Sequence, residues 1–345
     1  LAFWNLKWPF KRTSASEQRS ASVGHSLTDA TGELSKILGL HLDQVRVNAT
    51  AAMNLSAFFG SVRVMSSLFS TLPVAHLQKK DGRRVEVEGD MLTEVLTLRA
   101  SRHVNAVDFK KALMANLLVY GNGVARIVKN KYRETEELIV YKFTDVTIIE
   151  TDDRLYYHFP GGIVCDEEEV IHLKFLTLDG KIGIAPWGFA PKTFKVALSA
   201  QEFISKYYQN GTFLGGILTS EANLDETKAK AAKQMWKDST KQGVQNTGDI
   251  TVLGNGLKFH EIGSKPVESQ MVEFFAKTDV DIYRMMGVPG HMMGDASQNN
   301  TWGGTGIESQ FMSFINIALM TFIQSFEQEV AYKCIRTDKR WGGST

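Results

Sequence analysis

The sequence predicts an α+β fold, on three observations. Between Val74 and Leu173, short runs rich in β-branched and aromatic residues alternate with turn signals such as Asp81-Gly82. Beyond Thr193, apolar residues recur at helical spacing in three long segments. The helices also carry their own punctuation: capping-box patterns at Asn223–Glu226 and Thr305–Glu308, and glycine or Asn-Gly stops after Tyr120 and Gln209.

In chain order, the stretch from Lys11 to Ser35 is rich in Ser, Thr, Gly and charge without a sustained period, and reads as a flexible arm behind the aromatic head Phe3, Trp4, Trp8 and Phe10. A helix from Ala51 to Thr71 follows, with Leu55, Phe58, Val62, Met65, Leu68 and Phe69 at helical spacing and Pro73 ending it. Strands are expected at Val74–Gln78 and Arg83–Val87, then helices at Met91–Leu98 and Val107–Tyr120. Further strands are expected at Val124–Val128, Leu138–Lys142, Val146–Glu150, Leu155–Phe159 and Val170–Leu173. Thr193–Gln209 is helical. A compact insert comes next: a strand at Gly216–Thr219, a capped helix from Asn223, and a hairpin of Ile250–Leu253 and Leu257–Ile262 through Gly254-Asn255-Gly256. Val267–Met286 is an amphipathic helix with Val267, Met271, Phe274, Phe275, Ile282 and Met285 in one stripe. The longest helix runs from Ile307 to Val330, and its broad apolar face (Phe311, Phe314, Ile315, Leu319, Phe322, Phe326) calls for burial on more than one side.

The 345 residues suffice for two or three packed units, and 43% hydrophobic with 22% charged residues is ordinary for a globular chain. Lys+Arg number 39 against 38 Asp+Glu, a net charge of +1, which disfavours tight static binding of nucleic acid. Two cysteines outside any CxxC pair argue against a disulfide framework or cysteine zinc site and fit a reducing cytoplasm. The uncharged run Phe311–Phe326 is shorter than the ~20 residues that cross a bilayer, so no membrane partner is expected.

No GxxxxGK[ST], GxSxG, HExxH or GxGxxG motif is present. Asp166-Glu-Glu-Glu169 reads as a solvated turn rather than a cation site, and Asp279 and Asp281, two apart on a helix, point in different directions. His158, His172, His260 and His291 lie in separate elements, and His172 reads as a satisfied structural residue. No catalytic residue, metal or cofactor is expected. What stands out is the long stretch GVPGHMMGDASQNN, Gly287–Asn300, between two helices, because structureless connections in compact domains are mostly shorter. Its methionines suit adaptable apolar contacts, and its tip, Asp295–Asn300, carries short amide and hydroxyl groups.

The ordered series VRVMSSLFSTLPV, LLVYGNGVARI, EEVIHLKF, YYQNGTFLGGIL, ITVLGNGLKFHEI and IYRMMGVPGHMMGDASQNNTWGGTGIESQFMSFINIAL resembles the portal proteins of tailed double-stranded DNA bacteriophages, the siphovirus-type portal family, from Asn48 to Thr345. The resemblance implies a homo-oligomeric ring, usually a dodecamer, at a unique capsid vertex. Double-stranded DNA is packaged and ejected through it without sequence specificity, and the major capsid protein, the terminase and a neck or head-tail adaptor protein are its partners. It implies assembly in the host bacterial cytoplasm and residence in the virion. Laid on this chain it gives a flexible arm over 1–47, an α+β wing over 48–190, a stem helix over 191–210, a small α/β clip over 211–264, a second stem helix over 265–287, a tunnel loop over 288–304 and a long helix of the wing and crown base over 305–345. It places Val288, Pro289, His291, Met292, Met293, Asp295, Ser297, Gln298, Asn299 and Asn300 at the DNA channel, and Lys233, Lys237 and Lys241 at the clip surface met by terminase and neck. Relatives commonly show a second proline and an apolar residue where this chain has Gly290-His291, and they continue toward a crown beyond Trp341–Thr345, which suggests a truncated or processed form. A head-to-tail adaptor ring is the alternative, which the long unit before the first stem helix disfavours. A nucleic-acid enzyme is the third reading, and the lack of a catalytic constellation counts against it.

Overall fold

The computed structural model describes residues 25–26, 47–80, 82–87, 89–209, 216–220, 257–261, 267–294 and 304–335, with Thr227, Lys230, Ala231 and Gln234 between them. The segment read as a flexible arm contributes a two-residue strand, β1 (His25–Ser26), paired with Glu150 and Ile149. Asn48 opens α1 (Ala49–Met53) by accepting the Ala51 amide at 2.7 Å. The single helix expected from Ala51 is in fact two. Asn54, whose type competes with helix continuation, caps α1, and Leu55 turns extended with its side chain in the core before α2 (Ser56–Thr71) begins. Helix α2 buries Phe58, Val62, Met65 and Phe69 and stops at Leu72, which Pro73 forces out of the helical region to ψ 132°.

A hairpin, β2 (Leu77–Lys80) and β3 (Arg83–Glu86), turns through Gly82 at φ +78°. Then come α3 (Met91–Thr97) and α4 (Ala106–Tyr120), which Asn105 caps through the Asp108 amide at 2.7 Å and Gly121 ends in the left-handed conformation. Strand β4 (Asn122–Lys129) is the centre of a three-stranded antiparallel sheet, flanked by β5 (Thr135–Tyr141) on one side and, after a second sheet, by β9 (Val170–Lys174) on the other. That second sheet has the order β1-β6-β7-β8, from β6 (Thr147–Thr151), β7 (Arg154–Phe159) and β8 (Ile163–Asp166). Strand β8 has little signal in the sequence: it is four residues long and follows a turn at Gly161 and Gly162, with only Cys165 buried. Asp166 then caps a short 3-10 turn at Glu167–Glu169 through the Glu168 amide at 3.0 Å, and the three glutamates are exposed, as a solvated acidic turn should be.

Strand β9 (Val170–Lys174) leads through a turn to α5 (Pro186–Phe189) and α6 (Pro191–Gln209). In the insert, β10 (Gly216–Ser220) pairs antiparallel with β11 (Leu257–Glu261); residues 250–253, the expected hairpin partner of 257–262, lie outside the described residues. Helix α7 (Val267–Met286) packs against α2 and α6. The longest helix is not continuous either: α8 (Gly304–Phe314) passes through a π-helical turn at Ile315–Leu319 into α9 (Met320–Lys333). It also begins one residue ahead of the expected Thr305 cap. One core joins these parts, running from Phe58 and Leu117 through Phe194 to Ile282, Phe314 and Phe326, while Ile148, Tyr157, Phe159 and Ile182 form a second cluster under the four-stranded sheet.

Polar contacts lock α9 across the sheet. Strand β9 is an edge, and edge amides and carbonyls need partners. Glu329 accepts the His172 amide at 3.1 Å, Lys333 donates to the Val170 carbonyl at 2.8 Å, and the two side chains pair at 2.6 Å. At the end of the helix, Thr135 of β5 donates to the Cys334 carbonyl at 3.3 Å. Beneath, Asn122 is a hub. Its amide nitrogen donates to the Gly183 carbonyl at 2.7 Å, and its oxygen accepts the Gly183 amide at 2.7 Å. That orientation leaves the same oxygen to accept from His172 Nε2 at 2.9 Å, so Nδ1 is the acceptor for the Tyr157 hydroxyl at 2.9 Å.

His172 is therefore buried as the neutral ring, and burial, with the nearby Lys174 and Lys333, holds its pKa well below the ordinary 6.5. The unfolded chain takes up this proton as pH falls through 6.5 and the folded chain does not. Stability is thus fully present above 6.5 and falls below it, by up to about 1.4 kcal/mol per pH unit. Urea titrations at several pH values down to about 5 are expected to show that loss, and His172→Gln to flatten the slope; a pH-independent wild type over this window would contradict the assignment.

Candidate functional site

The segment from Gly287 to Gly304 is built from its base upward. Gly287, at φ +70°, ends α7: its amide donates to the Arg284 carbonyl at 3.2 Å and the Val288 amide to the Tyr283 carbonyl at 3.0 Å. This is the paired bonding of a Schellman stop, which needs glycine at the left-handed position. Pro289 precedes a 3-10 turn, Gly290–Met293, that closes at Gly294 with φ +79°. On the other side, α8 starts at Gly304.

The base is seated in the protomer. Val288 is 3% exposed and belongs to the main core, and Met292 and Met293 pack against it, half-buried. Pro289 and His291 are likewise half-buried. A Cβ placed on Gly60 of α2 would lie 2.2 Å from Met293 Cε, so the glycine forms the seat of that methionine. A Cβ on Gly287 would lie 3.2 Å from the Ala318 Cβ, which puts the turn against the π-helical segment. Gly60 was not singled out in the sequence, though an isolated glycine inside a helical apolar pattern is the signal that marks close packing. Asp295, Ser297, Gln298, Asn299 and Asn300 lie outside the described residues, as do Lys233, Lys237 and Lys241. Of the insert's helix, Thr227, Lys230, Ala231 and Gln234 are helical and exposed.

Of the acidic residues near this base, Asp281 is held by Arg284 at 2.6 Å, and both are solvent-accessible. Among the described residues no group of three or more His, Cys, Asp or Glu side chains is placed to hold a metal ion, and no helix is long and apolar enough to cross a membrane. What the site offers is a rigid base, fixed by α2, α7 and the π-helical turn, carrying a segment of small polar residues.

With an α+β chain of this element order and such a seated loop, comparison with known proteins is direct. A family model described as phage portal protein matches residues 56–342. The chain belongs to the phage portal protein family, and its fold is the α+β portal fold. The family role is that of a portal forming the head-tail channel. The portal protein of Enterobacteria phage HK97 is 23% identical over 296 residues, covering 84% of this chain and 69% of its own length. The probable portal protein of Streptomyces phage phiC31 is 24% identical over 296 residues, covering 80% of this chain and 63% of its own. This chain thus spans about two thirds of the length of those relatives. The crystal structure of an HK97-family phage portal protein from Corynebacterium diphtheriae matches with a TM-score of 0.61 at 16% identity, covering 85% of this chain and 90% of that one. A chain from the neck of an empty gene transfer agent particle, computed with C6 symmetry, matches with a TM-score of 0.61 at 18% identity, covering 94% and 84%.

Proposed function

We propose that this chain is one protomer of a closed homo-oligomeric ring at a unique capsid vertex, and that residues 295–300 line the DNA channel of that ring. The observation that carries the reading is the seated base: Val288 is buried in the protomer's core and Met292 and Met293 pack against it half-buried, so they hold the loop from which the segment beyond Gly294 extends. That segment offers amide and hydroxyl groups and one carboxylate, which exchange phosphate contacts through water without locking onto them. A near-neutral composition suits a conduit, because in a ring every cation is repeated by symmetry and each matched phosphate adds a salt-dependent contact.

Ring closure is supported by the long helix. Its inward face is packed in the protomer, yet Met312 and Ile317 are 51% and 77% exposed on the other side. A large apolar residue this exposed suits a heterologous contact with a neighbouring copy, and such contacts close into rings. The necks of the related gene transfer agent were computed with C12 and C6 symmetry. On this reading the wing is residues 48–190, the stem helices are 191–210 and 265–287, and the clip is 211–264, whose lysine-rich helix meets terminase first and the neck adaptor afterwards. The major capsid protein surrounds the ring in the virion. The role is structural, with no chemistry assigned to the chain itself.

Gln298→Lys combined with Asn299→Lys tests the channel assignment. Ring assembly is expected to be normal, with DNA translocation slowed or retention altered, because symmetry turns two added charges into a cationic collar. Unchanged packaging, or folding defects that precede it, would place the loop away from the channel.

A further inference from the structure

Strands β2 and β3 form a sheet of their own, which no third strand among the described residues joins. Its register sets Lys79 opposite Arg84 and Lys80 opposite Arg83 across the Asp81-Gly82 turn. Residues 79–84 thus hold four cations and one carboxylate, a net charge of +3 where the whole chain has +1. Lys80, Arg83 and Arg84 are exposed, and among the described residues no ion pair holds any of them. Glu327 shares a cavity lining with Arg84 without pairing to it. Like charges directly opposite each other destabilise a sheet, and a lone two-stranded hairpin is marginal to begin with. A tip built against its own stability calls for an anionic partner that offsets the repulsion.

Two features favour a nucleic-acid backbone over an acidic protein surface. Successive residues of a strand face opposite sides, so Lys80 and Arg83 lie on one face of the ribbon and Arg84 on the other. A partner laid flat on the hairpin would meet one face alone. The major groove of B-DNA, about 12 Å wide, admits a two-stranded ribbon and has a row of phosphates along each wall. Residues 79–84 also include no apolar side chain to anchor a protein interface; apolar surface begins nearer the base, with Leu77 and Val85. Phosphate contacts need only cations.

We propose that the tip of the β2–β3 hairpin is a second DNA contact, entering the major groove of double-stranded DNA with Lys80 and Arg83 toward one phosphate row and Arg84 toward the other. The contact is independent of base sequence, because cations on phosphates carry no sequence information. It uses none of residues 288–304 and does not rest on the channel reading. It is also compatible with a near-neutral chain, since the excess is confined to one tip, where a few salt-dependent contacts bind and release.

The test uses the full chain and a short fluorescein-labelled duplex, with affinity read by anisotropy over a series of salt concentrations. Saturable binding is expected, weakening linearly with salt on a logarithmic plot. Arg83→Gln combined with Arg84→Gln should weaken binding about ten-fold at low salt and reduce the slope by about 2, one counterion for each cation removed. The same variant should unfold at the same urea concentration as the wild type or a higher one, because opposed charges are gone. Should it unfold earlier, Lys79→Gln with Lys80→Gln gives the same readout. Gln298→Ala with Asn299→Ala should bind the duplex as the wild type does. Poly-L-glutamate should compete about ten-fold less well than unlabelled duplex of equal total charge. The proposal is overturned if the wild type shows no saturable binding or if the folded hairpin variants bind as the wild type does. Equal competition by poly-L-glutamate would overturn it too, making the tip a docking surface for an acidic protein.

Discussion

Replacing Gly121 by alanine is expected to destabilise the chain by about 4 kcal/mol, lowering Tm by roughly 10 °C or leaving the protein insoluble. Two costs add. Gly121 ends α4 at φ +78°, where an L-residue loses roughly 1–2 kcal/mol. Its Cβ would also lie 2.4 Å from the Ile184 carbonyl carbon and 2.5 Å from the Ala185 nitrogen. These are backbone atoms with no room to retreat, since Gly183 is itself wedged against the Gly121 carbonyl and Asn122. Gly180→Ala separates the two costs: it has the same φ of +78° with nothing within 4 Å of its Cβ, so about 1 kcal/mol is expected. Urea denaturation of both variants decides the matter, and equal losses would mean that the contact with the 183–185 turn is not tight.

Phe58→Ala is expected to cost on the order of 4 kcal/mol, the usual range for a buried phenylalanine that leaves a cavity. Phe58 of α2 and Phe194 of α6 are both 0% exposed and meet edge to face, with centroids 5.3 Å apart at 83°. The pair joins the helix that seats Met293 to the first proposed stem helix, so its loss should also loosen the base of the loop. A double-mutant cycle with Phe194→Ala should return about 1 kcal/mol of coupling. Additive losses would show that the two helices are held together by other contacts.

Much of this was legible because local chemistry and tertiary packing agree. The ends of α4 and α7 fall where glycine follows the last apolar residue, and Gly287 adopts the left-handed turn that such a stop requires. His172 reads as a structural strand residue, and Asn122 and Tyr157 satisfy both of its ring nitrogens. What sequence could not show depends on partners far along the chain. The break at Asn54 and Leu55 exists because Leu55 reaches the core from an extended backbone, while the periodicity runs straight through it. The π-helical turn at Ile315–Leu319 is likewise silent, since one extra residue in a turn barely disturbs an apolar face this broad. Whether the loop methionines pack or face outward was open in the sequence, because the seat of Met293 is made by Gly60, more than two hundred residues earlier. The ordered series of motifs still identified the family, since its signal lies in the order along the chain and does not need those contacts.

The central claim is that copies of this chain close into a ring around an open channel. Electron microscopy of the purified protein in negative stain tests it most directly, over a range of concentration and salt. Closed rings with a central hole are predicted; particles that remain monomeric under every condition would contradict it.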